Sequence, residues 1–250
     1  AYVAGARQGG NTCGGGLHIV DVRTPTRPAF AGCAAEAGYV HDAQCVVYHG
    51  PDAAFEGREV CVAAAAHHLA VLDVTDKARP ELLASATYPN AAYVHQGWFT
   101  EDHRYFFQND ELDETNGMVE RTRTLVWDLS DLTEPVLYHT HLGPSSATDH
   151  NLYVRGEQVY QANYRSGLRV LDIHRLSAPV ETAFFDTYPD DDAPGFEGAW
   201  SVYPFFDSGT LVVSSIDEGL FVLKLGGLAT ASFDAFTAAP EGDAVTFGWR

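Results

Sequence analysis

At 250 residues and 46% hydrophobic composition, the chain is long enough to bury a sizeable core. A formal net charge of −19, with thirteen arginines and only two lysines (Lys77 and Lys224), excludes a nucleic-acid-binding face and docking on anionic lipid, because both need a basic surface. The sequence contains no apolar run of the length needed for a membrane-spanning helix, so no direct membrane insertion is expected of this segment.

In chain order, residues 1–7 (AYVAGAR) read as a strand, followed by a Gly/Asn turn and a second strand, GLHIVDV. The next unit reads as YVHDAQCVVY, REVCVAA, HLAVLDV and LLASATY. A third follows the same plan with YVHQGWFT, HRYFFQND, RTLVWDLS and VLYHTHL, interrupted by the insertion ELDETNGMVER. The fourth unit is DHNLYVRG, QVYQANY, GLRVLDI and VETAFFDTY, and the fifth is GAWSVYPF, TLVVSSID and GLFVLKL. Val, Ile, Tyr and Phe enrichment between Gly, Pro and Asp punctuation marks these segments as strands. The stretch GLHIVDVRTPTRP returns as HLAVLDVTDKARP, TLVWDLSDLTEP and GLRVLDIHRLSAP, at intervals of about 50 residues, the signature of propeller blades. The expected fold is therefore all-β: a β-propeller with about five visible repeats of four-stranded blades, part of a six- or seven-bladed ring. Residues 1–225 form the propeller, with an incomplete N-terminal blade. Residues 226–250 read as a linker and the start of a further segment of β-sandwich type. Within each repeat, Asp21, Asp73, Asp128 and Asp172 are suited to accept backbone N–H groups in the turn after the strand, with a Pro closing that turn.

Cys45 and Cys61 lie on consecutive strands, and Cys13 and Cys33 bracket one repeat strand. Pairing within each couple would place the chain in an oxidising compartment, although four cysteines admit three connectivities.

One histidine opens each of three successive inner strands: His41, His95 and His150. Their spacing matches the blade period, and equivalent positions of inner strands face a common channel. Three imidazoles there suit Zn, Cu or Fe, with Asp42 and Asp149 as carboxylate ligands or acceptors, whereas Trp200 at the matching fifth position breaks the series. The competing reading is packing, each His bonded to a neighbouring carbonyl. Two acidic loops offer Ca a carboxylate set, Asp110 and Asp113 in the third-unit insertion, which also carries Glu111 and Glu114, and Asp190 and Asp192 before the fifth unit. The default for such charge runs is a hydrated loop. No GxSxG, HExxH or phosphate-binding loop occurs, and Ser145 and Ser146 lie too close in sequence to His150 for a triad. Trp98, Tyr153 and Tyr203 recur at one inner-strand position, where they pack between blades or form sugar platforms.

The repeat strand with its trailing Pro is similar to the LVIVD repeat. The runs YVHDAQCVVYHGPDAAFEGREVC, YVHQGWFTEDHRYFFQNDELDETNG, TDHNLYV and GAWSVYPFF resemble the choice-of-anchor B family over residues 1–225. That resemblance implies a bacterial β-propeller, secreted or displayed on the cell surface, and brings no activity with it. The expected function is accordingly a non-catalytic binding and display module for a protein or glycan partner at the cell surface. The alternative is a metal-binding protein or metal-dependent enzyme centred on the histidines.

Overall fold

The computed structural model describes residues 1–8, 12–226, 236–241 and 244–249, the last two spans as backbone only. The strands pair as successive antiparallel meanders, each strand bonded to its chain neighbour. The first sheet holds β1 (Tyr2–Val3), β2 (Leu17–Asp21) and β3 (Ala29–Ala34). The second holds β4 (Asp42–Val47), β5 (Glu59–Ala64), β6 (Leu69–Asp73) and β7 (Glu81–Ala86). The third comprises β8 (Val94–Phe99), β9 (Tyr105–Asp110), β10 (Arg123–Asp128) and β11 (Val136–Leu142). In the fourth are β12 (Asn151–Arg155), β13 (Gln158–Ala162), β14 (Leu168–Asp172) and β15 (Val180–Phe185). The fifth contains β16 (Ala199–Tyr203), β17 (Thr210–Ser215), β18 (Gly219–Lys224), β19 (Phe236–Glu241) and β20 (Ala244–Trp249). Four-stranded antiparallel meanders at a fixed period are propeller blades. Part of the expected linker, residues 227–232, lies outside the described residues. Beyond it, β19 pairs with β18 and β20 with β19.

The chain divides into two compact units: Ala1–Gln108 with Val126–Tyr138, and Asn109–Leu125 with His139–Arg250. Each has its own apolar core. In the first, Leu17, Val40, Cys61, Ala63, Ala70, Leu72 and Val74 pack together. In the second, Tyr160, Leu168, Val170, Val202, Leu211, Val213 and Leu223 do so. Central strands such as β5 and β6 are buried along almost their whole length, which is why they read as continuous apolar runs. The outer strand β11 instead alternates half-buried and exposed positions, and Val136, Tyr138 and Leu142 face solvent.

The repeat motif has two mechanical parts. Its Asp accepts the amide two residues on: Asp21 from Arg23 (3.0 Å), Asp73 from Thr75 (2.9 Å), Asp128 from Ser130 (2.9 Å) and Asp172 from His174 (2.9 Å). Opposite the strand, a register shift falls at Ile19/Val20, Val71/Leu72 and Val170/Leu171, leaving one extra residue on β3, β7 and β15 respectively. Such bulges add twist at a fixed point of the blade.

Cys45 and Cys61 are directly opposed across β4 and β5, and both Cys45–Cys61 and Cys13–Cys33 are disulfides. Two such bonds mark a chain matured outside the reducing cytosol. Among the described residues no helix is long and apolar enough to cross a membrane.

Burial alone would raise the Asp73 carboxyl, but bonds from Thr75 and Arg58 outweigh it and hold the group below its ordinary value. Its stabilisation is therefore complete above the ordinary carboxylate range and disappears as pH falls through the lowered folded-state value. Asp73→Ala is expected to lower stability by about 1–3 kcal/mol at pH 7, and the deficit should shrink in acid; urea unfolding at both pH values measures it.

Candidate functional site

The predicted histidines fall into different surroundings. In the first unit His41 immediately precedes β4, and its ring stacks 4.3 Å from that of His95 on β8. The Tyr93 hydroxyl reaches His41 Nδ1 at 3.0 Å, with the Tyr39 hydroxyl 3.4 Å from the same atom. The Asp42 carboxylate accepts the amide of Ala43 (2.7 Å), and burial pushes its acid strength down, raising the group above its ordinary value.

In the second unit the conserved geometry of the blade loops places a different set of groups together. The loop that leads into the Asp-bearing repeat strand bridges to the first strand of the next blade through one residue with a left-handed backbone. In the first unit this is Gly15 (φ +89°), whose carbonyl accepts from Val40, and Ala66 (φ +58°), whose carbonyl accepts from Val94. The corresponding residue in the second unit is Tyr164 (φ +41°), doubly bonded to Ala199. A bulky residue at positive φ is strained, and strain of this kind concentrates at functional sites. What the strained position achieves is clear from the side chain: the Tyr164 hydroxyl donates to Glu111 Oε1 at 2.7 Å. Burial, then the Glu111 bond, raises this phenol well above its ordinary range, so it stays protonated and remains a donor.

His150, next to β12, is buried between Tyr164 (ring centroids 4.4 Å apart) and Trp200 (4.7 Å). Its Nδ1 lies 2.6 Å from the Trp200 carbonyl, an acceptor only, so Nδ1 carries a proton and Nε2 is the nitrogen left to face the site. Nε2 faces Glu111 Oε1 at 3.7 Å. Glu111 is therefore held between a phenol and an imidazole while its side chain keeps 15% of its surface exposed. Trp200 (48% exposed) and Phe196 (46%), the latter edge-on to Tyr164, form an aromatic wall over these groups.

Beside them lies a buried carboxylate cluster. The ligand-type oxygens of Asp113, Glu114 and Asp149 all lie within 4.8 Å of one another, and the three residues are buried. Asp149 accepts the amides of Asp110 (3.1 Å) and Arg123 (2.8 Å), pinning the insertion to the approach of β12. Asp113 accepts the amide of Glu114 (3.0 Å) and pairs with the Arg123 guanidinium (2.6 Å). Burial first, then the Asp149 charge, drives the Glu114 carboxyl far above the ordinary carboxylate range; burial likewise raises Asp113 and Asp149. Ionised carboxylates have no donor, so contact among the three requires that one hold a proton or that a cation lie between them.

The expectation of a hydrated acidic loop in the third-unit insertion is thus corrected: Asp110, Asp113 and Glu114 are buried, with the Leu112 amide on the Asp110 carboxylate and the Glu114 amide and Arg123 on that of Asp113 in place of water. The other acidic loop behaves as a hydrated one. Asp190 and Asp192 are exposed and join no cluster of three ligands, while Asp191 and Glu197 pair with Arg165 (2.8 and 2.7 Å). Tyr153 and Tyr203 pack on Phe205.

No family model and no curated protein sequence matches the chain. Solved structures do. One is the periplasmic gluconolactonase of Pseudomonas aeruginosa: TM-score 0.54, 16% identity, covering 72% of this chain and 53% of that one. Another is a protein from Lactobacillus plantarum: TM-score 0.63, 14% identity, 94% of this chain and 68% of that one. The fold is that of a β-propeller. The chain spans about half the length of the gluconolactonase it matches (53%). The expectation of a non-catalytic binding and display module is overturned: a solved relative in fold is an enzyme, and the strained, buried polar site described above is not something a display surface requires.

The Arg123–Asp113 pair is buried on both sides, so Arg123→Met leaves an uncompensated carboxylate and is expected to cost about 3–5 kcal/mol, read from chemical unfolding at pH 7.

Proposed function

We propose that the chain is the catalytic part of an extracytoplasmic hydrolase acting on a small polyhydroxylated ester or lactone. The observation that carries this reading is Glu111, a partly accessible carboxylate oriented by Tyr164 and His150 beneath the aromatic wall of Trp200 and Phe196. Aromatic faces suit the C–H surface of a sugar ring, and the gluconolactonase likeness supports the lactone class. The two disulfides and the likeness of the repeats to LVIVD and choice-of-anchor B proteins support a secreted or surface-attached setting.

Glu111 takes a proton from a water molecule as the water oxygen attacks the carbonyl carbon. The ring C–O bond then breaks, and the same proton returns to the departing alkoxide, giving the hydroxy acid. Tyr164 and His150 are positioning residues: the phenol fixes one carboxylate oxygen, and the imidazole, locked by the Trp200 carbonyl, holds the other flank of the site. The pair His150 Nε2 and Glu111 Oε1, 3.7 Å apart, also fits the donor spacing of one Zn²⁺, whose bonds run at about 2.0–2.2 Å. When bound, such an ion supplies Lewis-acid activation of water.

Glu111→Gln is expected to lower kcat for glucono-lactone hydrolysis on the order of 10²–10⁴-fold with an unchanged melting temperature, and Trp200→Ala to raise KM. A pH-stat assay decides it. Wild-type protein that fails to exceed the spontaneous rate on lactones and aryl esters, both as purified and with added Zn²⁺, contradicts the proposal.

A further inference from the structure

The carboxylate cluster beside that site has no role in the chemistry just described, and its composition is unusual for packing. Three buried carboxylates face the Arg123 guanidinium, so with all three ionised two negative charges would lack a counter-charge. Two further observations point to a ligand. Glu114 is 3% exposed, and its carboxylate oxygens meet no amide, hydroxyl or cationic donor, only the carboxylates of Asp113 and Asp149. Asn109 is 0% exposed and its side chain bonds Asp149, which leaves its amide oxygen without a hydrogen-bond partner. Buried polar atoms are almost always satisfied by a complementary group, and here a buried carboxylate meets only other carboxylates beside an unbonded amide oxygen.

We propose that Asp113, Glu114 and Asp149, with the Asn109 amide oxygen, bind a hard divalent cation of the calcium class. A double positive charge matches the uncompensated charge. Every donor is oxygen, which selects Ca²⁺ or Mg²⁺ over Zn²⁺ or Cu²⁺. The separations of up to 4.8 Å between donor atoms suit an ion with bonds of about 2.3–2.6 Å. Asp149 retains a second lone pair on each oxygen after accepting the Asp110 and Arg123 amides, so these bonds orient it without blocking coordination. The site is distinct from the exposed Asp190 and Asp192 loop. None of its ligands takes part in the chemistry proposed at Glu111. Its consequence is structural: the cation joins the insertion that carries Glu111 to the segment that carries His150.

The test uses the whole chain, dialysed against a chelator and titrated with CaCl₂, then MgCl₂, following bound metal by elemental analysis and stability by thermal unfolding. One equivalent of Ca²⁺ per chain is expected, with a melting temperature that climbs with the logarithm of free Ca²⁺. Glu114→Gln should weaken Ca²⁺ binding by at least about 100-fold, whereas Glu111→Gln and the double variant Asp190→Asn/Asp192→Asn should leave it unchanged. Absence of saturable Ca²⁺ or Mg²⁺ binding, wild-type affinity in Glu114→Gln, or loss of binding in the Asp190/Asp192 variant overturns the proposal. Should Glu114→Gln fail to fold, the wild-type chain decides the matter: a melting temperature independent of Ca²⁺ refutes the site.

Discussion

Asp149 accepts two backbone amides, from Asp110 and Arg123, and in doing so stands within reach of Asp113 and Glu114, with the Arg123 guanidinium as counter-charge. Much of the second unit's polar architecture is organised by that constraint. A carboxylate in a water-free space must be bonded, paired, protonated or bound to a cation, because the cost of leaving it bare is several kcal/mol per ion. The insertion therefore cannot float: to be buried at all it must deliver Arg123 to Asp113 and present the Asp110 and Arg123 amides to Asp149. Fixing the insertion in this way fixes Glu111, which lies between Asp110 and Asp113 in sequence.

Tyr164 supplies the complementary constraint from the fourth sheet. The blade loop requires a left-handed residue whose carbonyl accepts from the next blade's first strand, a demand met at low cost by Gly15 in the first unit. Tyr164 meets the same demand with a large side chain, and the strain is offset by its hydroxyl bond to Glu111 and its contacts with His150, Trp200 and Phe196. His150 is held by the Trp200 carbonyl, the very residue that breaks the histidine series in the sequence. Packing and chemistry are thus not alternatives for this histidine. The carbonyl bond that a packing role demands is also what leaves Nε2 facing Glu111.

The blades were legible because strand signals are local: β-branched and aromatic runs, Gly and Asp punctuation, and an Asp-turn motif recurring at one period. The disulfides followed from cysteines on neighbouring strands. The site was only half legible. His150 and Asp149 stood out by position, and Glu111 and Glu114 by the acidity of the insertion, but nothing local indicates that ELDETNG is buried, since that depends on Arg123 and Asp149 arriving from elsewhere in the chain. Tyr164 carried no signal, because a positive φ is announced in sequence only when Gly or Asn occupies the position. Reading the chain as a display module failed for a related reason. The motifs searched for in the sequence are contiguous, whereas Glu111, His150 and Tyr164, the groups of the proposed site, come from three separate segments.

The three buried carboxylates cannot all be ionised unless a cation joins them. Infrared difference spectroscopy of the chelator-treated protein at pH 7, before and after Ca²⁺, addresses this directly, with Glu114→Gln as the assignment. The account predicts the carbonyl stretch of one protonated carboxyl group in the metal-free protein, abolished by Ca²⁺ and missing from the variant. A metal-free protein with no protonated carboxyl, and no change on adding Ca²⁺, would contradict it.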